Sequence, residues 1–127
     1  MIVADSDVLI DALAGVEPAR RVVAEAIRGR RLAIPSIVRF ELLVGARSPG
    51  EAELIHRLLR PAAILPFDEE SADQAAKAGR RLQEEGTPLP MADLAIAGIC
   101  LSLDAALLTR NRRHFERIDG LVVTSPE

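Results

Sequence analysis

Tryptophan and tyrosine are absent from the 127 residues, and phenylalanine occurs three times. Two of those, Phe67 and Phe115, lie outside the segments singled out below, so the chain has almost no aromatic platform on which unpaired bases could stack. The single cysteine, Cys100, excludes an internal disulfide, and its Ala/Ile/Leu-rich neighbourhood marks it as a small packed hydrophobe. The two histidines, His56 and His114, lack the paired spacing of a zinc site and read as surface residues. A G-x-x-x-x-G-K-[ST] phosphate loop is missing, which argues against a P-loop nucleotide hydrolase. The most apolar stretch, Met91 to Leu103, is too short to span a bilayer, and the N-terminus does not show the basic-then-apolar pattern of a leader peptide. The expectation is a cytoplasmic protein without a membrane partner.

Lysine is nearly missing as well. Lys77 stands alone, so almost all the positive charge of a chain with net charge −3 is arginine, whose planar fork suits phosphate. The arginines cluster as Arg28, Arg30 and Arg31, as Arg80 and Arg81, and as Arg110, Arg112, Arg113 and Arg117. Overall acidity therefore does not exclude a nucleic-acid partner, although a G+C-rich genome would also favour arginine over lysine. With 49% hydrophobic and 28% charged residues, the composition is that of a soluble globular protein. A chain of this length fits one domain, residues 1–127, which can bury roughly two-thirds of its unfolded surface.

Short strands alternate with helices. Met1 to Ala4 reads as a buried strand, followed through the polar Asp5-Ser6-Asp7 by a helix from Val8 to Ala14 that Gly15 closes. Pro18 opens a helix to about Arg28, and Leu32 to Ile34 is a second strand. Pro35 and Ser36 start a helix that carries Glu41 and ends near Gly45, and Glu51 to Leu59 repeats apolar residues at helical spacing. Ala63 to Leu65 is a third strand, and Glu69 to Glu85 an amphipathic helix stopped by Gly86. Met91 to Leu103 is helical and apolar nearly all round, Ala106 to Thr109 is a fourth strand, an arginine-rich turn follows, and Leu121 to Val123 is a fifth strand. This alternation indicates an α/β fold: a three-layer α/β/α sandwich around a short parallel sheet of four or five strands.

Three carboxylates sit in apolar settings where isolated charge is costly: Asp5 at the end of the first strand, Glu41 within Ile37 to Val44, and Asp93 near the start of the Met91 helix. Ligand sites in parallel sheets lie beyond the carboxyl ends of the strands, which is where Asp5 falls. Each acid also has a plain reading. Asp5 or Asp7 could cap the first helix, Glu41 could emerge on a polar edge and pair with an arginine, and Asp93 could be an ordinary helix-start residue. If the three converge, their charge requires a hard cation such as Mg2+ or Mn2+, and a site of that kind suits phosphodiester hydrolysis by an activated water. Thr109 and Asn111, at the end of the fourth strand, could orient that water or a phosphate, or form an ordinary turn.

These segments together resemble the PIN-domain ribonucleases, specifically the VapC-type toxins of toxin–antitoxin pairs. The family's hydrophobic-Asp-Thr-Asn opening resembles Ile2 to Ile10, and its Ser-x-x-x-x-Glu-Leu helix resembles Ser36 to Leu42 with Gly45-Ala46 after it. Its Pro-x-x-Asp-x-x-Ile-Ala stretch resembles Pro90 to Ala97, and its Leu-x-Thr-x-Asn segment resembles Leu107 to Asn111. The resemblance implies an Mg2+-dependent endoribonuclease, with Mn2+ as the other candidate ion, whose acidic core is Asp5, Glu41 and Asp93. It implies an RNA substrate, with Arg110, Arg112 and Arg113 as candidate contacts, together with a homodimer and a cognate antitoxin that blocks the acidic site with a basic side chain. Two departures stand out: Asp7 replaces the usual Asn, and Asn111 and His114 occupy the segment where many members supply a fourth acid, Glu116 being the nearest carboxylate. One tightly held ion is therefore expected rather than two.

Two other enzyme or signalling readings are weaker, and one binding reading competes. The Asp5-Ser6-Asp7 pair fits a haloacid-dehalogenase-like phosphatase, but its lysine is not supplied by Lys77, which lies mid-helix; a receiver-like domain fails in the same way. A non-catalytic PIN-like module that binds RNA or protein would keep the acids for structure alone.

Overall fold

The computed structural model describes residues 1–127. Five strands, β1 (Ile2–Ala4), β2 (Leu32–Pro35), β3 (Ala63–Leu65), β4 (Ala106–Leu108) and β5 (Val123–Thr124), form one sheet in the order β3-β2-β1-β4-β5. Every pairing is parallel. Parallel strands need long crossovers, and seven helices supply them: α1 (Ser6–Leu13), α2 (Ala19–Arg28), α3 (Ser36–Val44), α4 (Pro49–Leu59), α5 (Glu69–Glu84), α6 (Met91–Leu103) and α7 (Arg112–Phe115). The expected α/β sandwich is therefore the observed architecture.

The central strands are buried. All four residues of β2 are out of water, and Val3, Ala4, Leu107 and Leu108 carry the core through the sheet centre. Val8, Leu9, Val38, Ile96, Ile99 and Phe115 join them from the helices in a cluster of 25 buried apolar residues. Cys100 belongs to it, with its thiol pushed up to about 12 by burial first and by the nearby charge of Asp5 second. It is the inert packed hydrophobe that its neighbours indicated.

Several boundaries differ from those read from the residues, and at α1 and α4 the shift has a local cause. α1 starts at Ser6, two residues before Val8, because Asp5 caps it. α4 starts at Pro49 because Ser48 accepts from the Glu51 N–H at 3.1 Å and proline is well placed in the first turn. β4 ends at Leu108, so Thr109 lies just beyond the strand, and β5 is Val123–Thr124. The arginine-rich turn contains the one-turn helix α7, held by buried Phe115. No helix is long and apolar enough to cross a membrane.

The sheet order sets the position of any ligand site. The chain steps from β1 to β2 to β3 on one side and then returns to place β4 on the other side of β1. The strand order thus reverses between β1 and β4, and ligands in open parallel sheets bind at the carboxyl ends of strands at such a point.

Candidate active site

Ala4 pairs with Leu108 across this reversal, and the Asp5 N–H donates to the Leu108 carbonyl at 2.9 Å. The register therefore delivers Asp5 and Thr109 side by side. Asp5 is only 7% exposed and Thr109 is fully buried. Asp5 Oδ1 accepts from the Ser6 N–H at 2.8 Å, and Oδ2 accepts from the Thr109 hydroxyl at 2.8 Å. Asp5 is thus both the helix cap and a site residue, two readings that looked like alternatives. Burial raises its pKa to about 6, the charges of Asp7 and Asp93 push the same way, and the bonds from Thr109 and Ser6 pull against them.

Asp7 is not the cap. It sits in the first turn of α1 and reaches across the β1–β4 reversal, where its Oδ2 accepts from the Arg110 N–H at 3.1 Å and lies 3.4 Å from Thr109 Oγ1. Its Oδ1 is cut off from water and has no hydrogen-bond partner. Thr109 Oγ1, while donating to Asp5, also accepts from the Asn111 N–H at 3.0 Å, so one hydroxyl organises the carboxylate and the turn after β4. Thr109→Val keeps the shape and removes both bonds. The expected cost is about 1–3 kcal/mol, larger at pH 8 than at pH 5 because the bond to ionised Asp5 is charge-assisted; urea unfolding at the two pH values measures it.

Asp93 lies in the first turn of α6, half-buried, where the helix dipole favours a carboxylate. His114 Nδ1 is 3.4 Å from its Oδ2. Glu41 is carried by α3, which packs against α1, α4 and α6. As a whole residue it is exposed, as the reading that it emerges on a polar edge implied, despite its apolar neighbours. Its carboxyl is still partly desolvated and close enough to Asp93 for both effects to raise its pKa. It joins none of the ion pairs of the chain, so the pairing with an arginine does not occur.

The fold thus brings Asp7 and Asp93 within electrostatic reach of Asp5, with Glu41 at the rim beside Asp93. As they stand, no three His, Cys, Asp or Glu side chains are gathered tightly enough to hold one ion between them. The arginines after β4 turn elsewhere: Arg110 pairs with Asp11 at 3.1 Å and Arg112 with Glu116 at 3.1 Å, while Arg113 pairs with nothing. Together with Asn111, whose side chain is exposed, they line a polar groove of about 380 Å³.

Asp7 and His114 are the members of this cluster that local reading missed. Acids in the first turn of a helix are common, so only the β1–β4 register, joining residues about a hundred positions apart, reveals what Asp7 faces. His114, expected at the surface, is half-buried against Asp93 because α7 turns it inward. His56 is half-buried too, its Nδ1 accepting from the Arg39 guanidinium at 3.2 Å.

The PIN domain family model matches residues 2–121. Ribonuclease VapC10 of Mycobacterium tuberculosis is 34% identical over 121 residues, covering 95% of this chain and 90% of that protein. The VapBC-1 structure from nontypeable Haemophilus influenzae superimposes with a TM-score of 0.84 at 27% identity, covering 99% of this chain and 98% of the matched one. VapBC2 from Rickettsia felis, bound to a promoter DNA fragment, gives a TM-score of 0.89 at 21% identity over 98% of both chains, which speaks for the fold alone. Acids at the β1–β4 reversal, a parallel sheet in this order and these likenesses agree: the chain belongs to the PIN domain family, in its VapC group.

Proposed function

We propose that the chain is an Mg2+- or Mn2+-dependent endoribonuclease acting as the toxin of a toxin–antitoxin pair. One observation carries this reading: Asp5, Asp7 and Asp93 share the β1–β4 reversal with Glu41 beside them, and no arginine or lysine side chain bonds to any of the four. Clustered carboxylates of this kind need a cation, and Asp5 already holds its proton up to about pH 6 without one. The donors fit a hard divalent ion: all are carboxylate oxygens, and buried Asp7 Oδ1 has its coordinating capacity unspent. Mg2+ commonly takes one or two carboxylates and keeps several waters, so a closed cage of side chains is not required. When bound, the ion supplies an activated water and offsets the charge that develops on a phosphodiester under in-line attack.

The residues of the chain hold that chemistry in place. Asp5, Asp93 and Glu41 would hold the ion, one or two of them directly and the rest through its retained waters, with Asp5 oriented by Ser6 and Thr109 and Asp93 by His114. No covalent nucleophile is involved. RNA phosphates take the groove of Arg110, Arg112 and Arg113, with Asn111 at its edge, and unpaired Arg113 has the freest guanidinium. The name of VapC10 supports an RNA substrate, and the VapBC-1 structure of H. influenzae supports an antitoxin partner. An apolar groove of about 500 Å³, lined by Ile10, Leu13, Leu42, Leu54 and Ile55, runs beside Glu41 and suits the apolar face of such a partner, whose basic side chain would then meet the acids. A homodimer and a cytoplasmic location belong to the same proposal, the exposed Phe67 and Met91 offering apolar contact for the dimer.

Cleavage of total cellular RNA by purified, antitoxin-free protein tests the reading. Discrete fragments are expected with Mg2+ or Mn2+, none with EDTA, and at least about 100-fold less product from Asp93→Asn. Intact RNA in every lane, from protein shown to be folded, would leave the non-catalytic binding module as the better description.

A further inference from the structure

We infer that Asp7 is itself a ligand of the cation, supplying from the first helix a carboxylate that the segment after β4 does not provide. The inference rests on the metal-dependent reading above and concerns a residue that reading does not require. Three observations converge on it. Asp7 shares a donor with Asp5: Thr109 Oγ1 lies 2.8 Å from Asp5 Oδ2 and 3.4 Å from Asp7 Oδ2. A hydroxyl has one proton, and the shorter contact goes to Asp5. Asp7 is then left with a single hydrogen bond, from the Arg110 N–H at 3.1 Å.

Its other oxygen, Oδ1, is sealed from water and unpaired. A buried carboxylate oxygen with no donor is costly, and a purely structural residue here would be asparagine, which keeps the bond to Arg110 without the charge. The neighbourhood offers no compensating cation either. The Arg110 guanidinium is engaged with Asp11 at 3.1 Å, while the groups that Asp7 does face are another carboxylate and a hydroxyl. Beyond Thr109, the residues that follow are Arg110, Asn111, Arg112, Arg113 and His114, none of which is an acid. The anionic charge of the site is therefore made up on α1, with Asp5 and Asp7 two residues apart on either side of the helix start. Such a pair can take one hard ion directly while Asp93 and Glu41 act from the facing helices.

Calorimetric titration of Mn2+ into antitoxin-free wild type, Asp7→Asn and Asp5→Asn, with melting curves recorded in EDTA and in Mn2+, decides the matter. Asp7→Asn is expected to bind Mn2+ at least about fivefold more weakly and to lose part of the Mn2+-induced rise in melting temperature, while melting in EDTA no lower than wild type. A smaller loss of affinity in Asp7→Asn, with Asp5→Asn strongly impaired, would overturn the assignment and leave Asp7 as a support for the β4 turn, the nuclease reading untouched. Wild type that binds no Mn2+ would overturn both. Asp7→Ser, which also removes the orphaned oxygen, answers the same question if asparagine is not tolerated.

Discussion

Asp5→Asn is expected to lower RNA cleavage by about 1000-fold and, in the absence of metal, to make the protein more stable above pH 6. The loss follows if Asp5, the most buried of the clustered acids, holds the cation as proposed. The gain follows from linkage. Asp5 titrates at about 6 in the fold against 3.8 when unperturbed. Between those values the folded chain holds a proton that the unfolded chain has released. Stability from this group is fully present below about pH 4, falls as the pH rises through the window, and stays low above 6. The span corresponds to at most about 3 kcal/mol. The isosteric amide has no such dependence. Its Nδ2 can donate to Thr109 Oγ1, freeing that hydroxyl to turn toward Asp7, so the fold keeps its bonds. Urea unfolding of both proteins in EDTA from pH 4 to 8 is expected to give curves that separate as the pH rises, the variant ending about 1–2 kcal/mol higher. Taking the difference removes the opposite trend of Glu17 and Asp68, exposed acids whose pKa is lowered by hydrogen bonds from Arg20 and Ser71. Equal stability at pH 8 would mean that the burial of Asp5 costs nothing, and the case for a cation at this position would lose its physical basis.

The two halves of this prediction differ in how far the residues alone announce them. Alternating short apolar runs and helical periods were enough to place the strands and helices along the chain, to end β1 just before Asp5 and to start α3 and α6 near Ser36 and Met91, because those signals are local; the order of the strands in the sheet was not among them. The roles of Asp7 and His114 were not legible, since each depends on a neighbour brought up by the fold: Arg110 across the β1–β4 register and Asp93 against α7. Glu41 is a different case. Its apolar neighbours imply a face that must be covered, but periodicity does not say by what. In the single chain Phe40 is 63% exposed and Val44 68%, so the face around Glu41 is a surface, and an apolar surface beside an acidic site is what a partner protein would cover.

Gly98→Ala is expected to destabilise the fold by about 2–3 kcal/mol, on the order of 10 °C in melting temperature, although alanine is the better helix former by about 1 kcal/mol. Gly98 lies where α6 crosses α5, and a Cβ there would stand 2.3 Å from the Ser71 carbonyl oxygen, 2.7 Å from Ala75 Cβ and 3.0 Å from Ala75 N. Two of these neighbours are backbone, so no rotamer change relieves the clash. Nor can the first turn of α5 retreat cheaply. Asp68 caps it by accepting from the Ser71 N–H at 2.9 Å and from the buried Ser71 hydroxyl at 2.7 Å, and that hydroxyl lies 3.2 Å from Ser102 Oγ on α6. Gly79→Ala is the matched control: its Cβ meets only the Leu94 side chain, nearest at 3.0 Å, which can swing aside, so this variant is expected to be neutral or slightly stabilising. Chemical unfolding of the two variants separates close helix approach from helix propensity, and equal stabilities would refute the packing argument. The clash also bears on the site. α6 carries Asp93 in its first turn, so prising α6 from α5 shifts Asp93 against Asp5, and displacements near 1 Å can cost about 100-fold in rate. Gly98→Ala should therefore cleave RNA poorly even at temperatures where it is folded, losing activity and stability together, whereas Asp5→Asn exchanges one for the other.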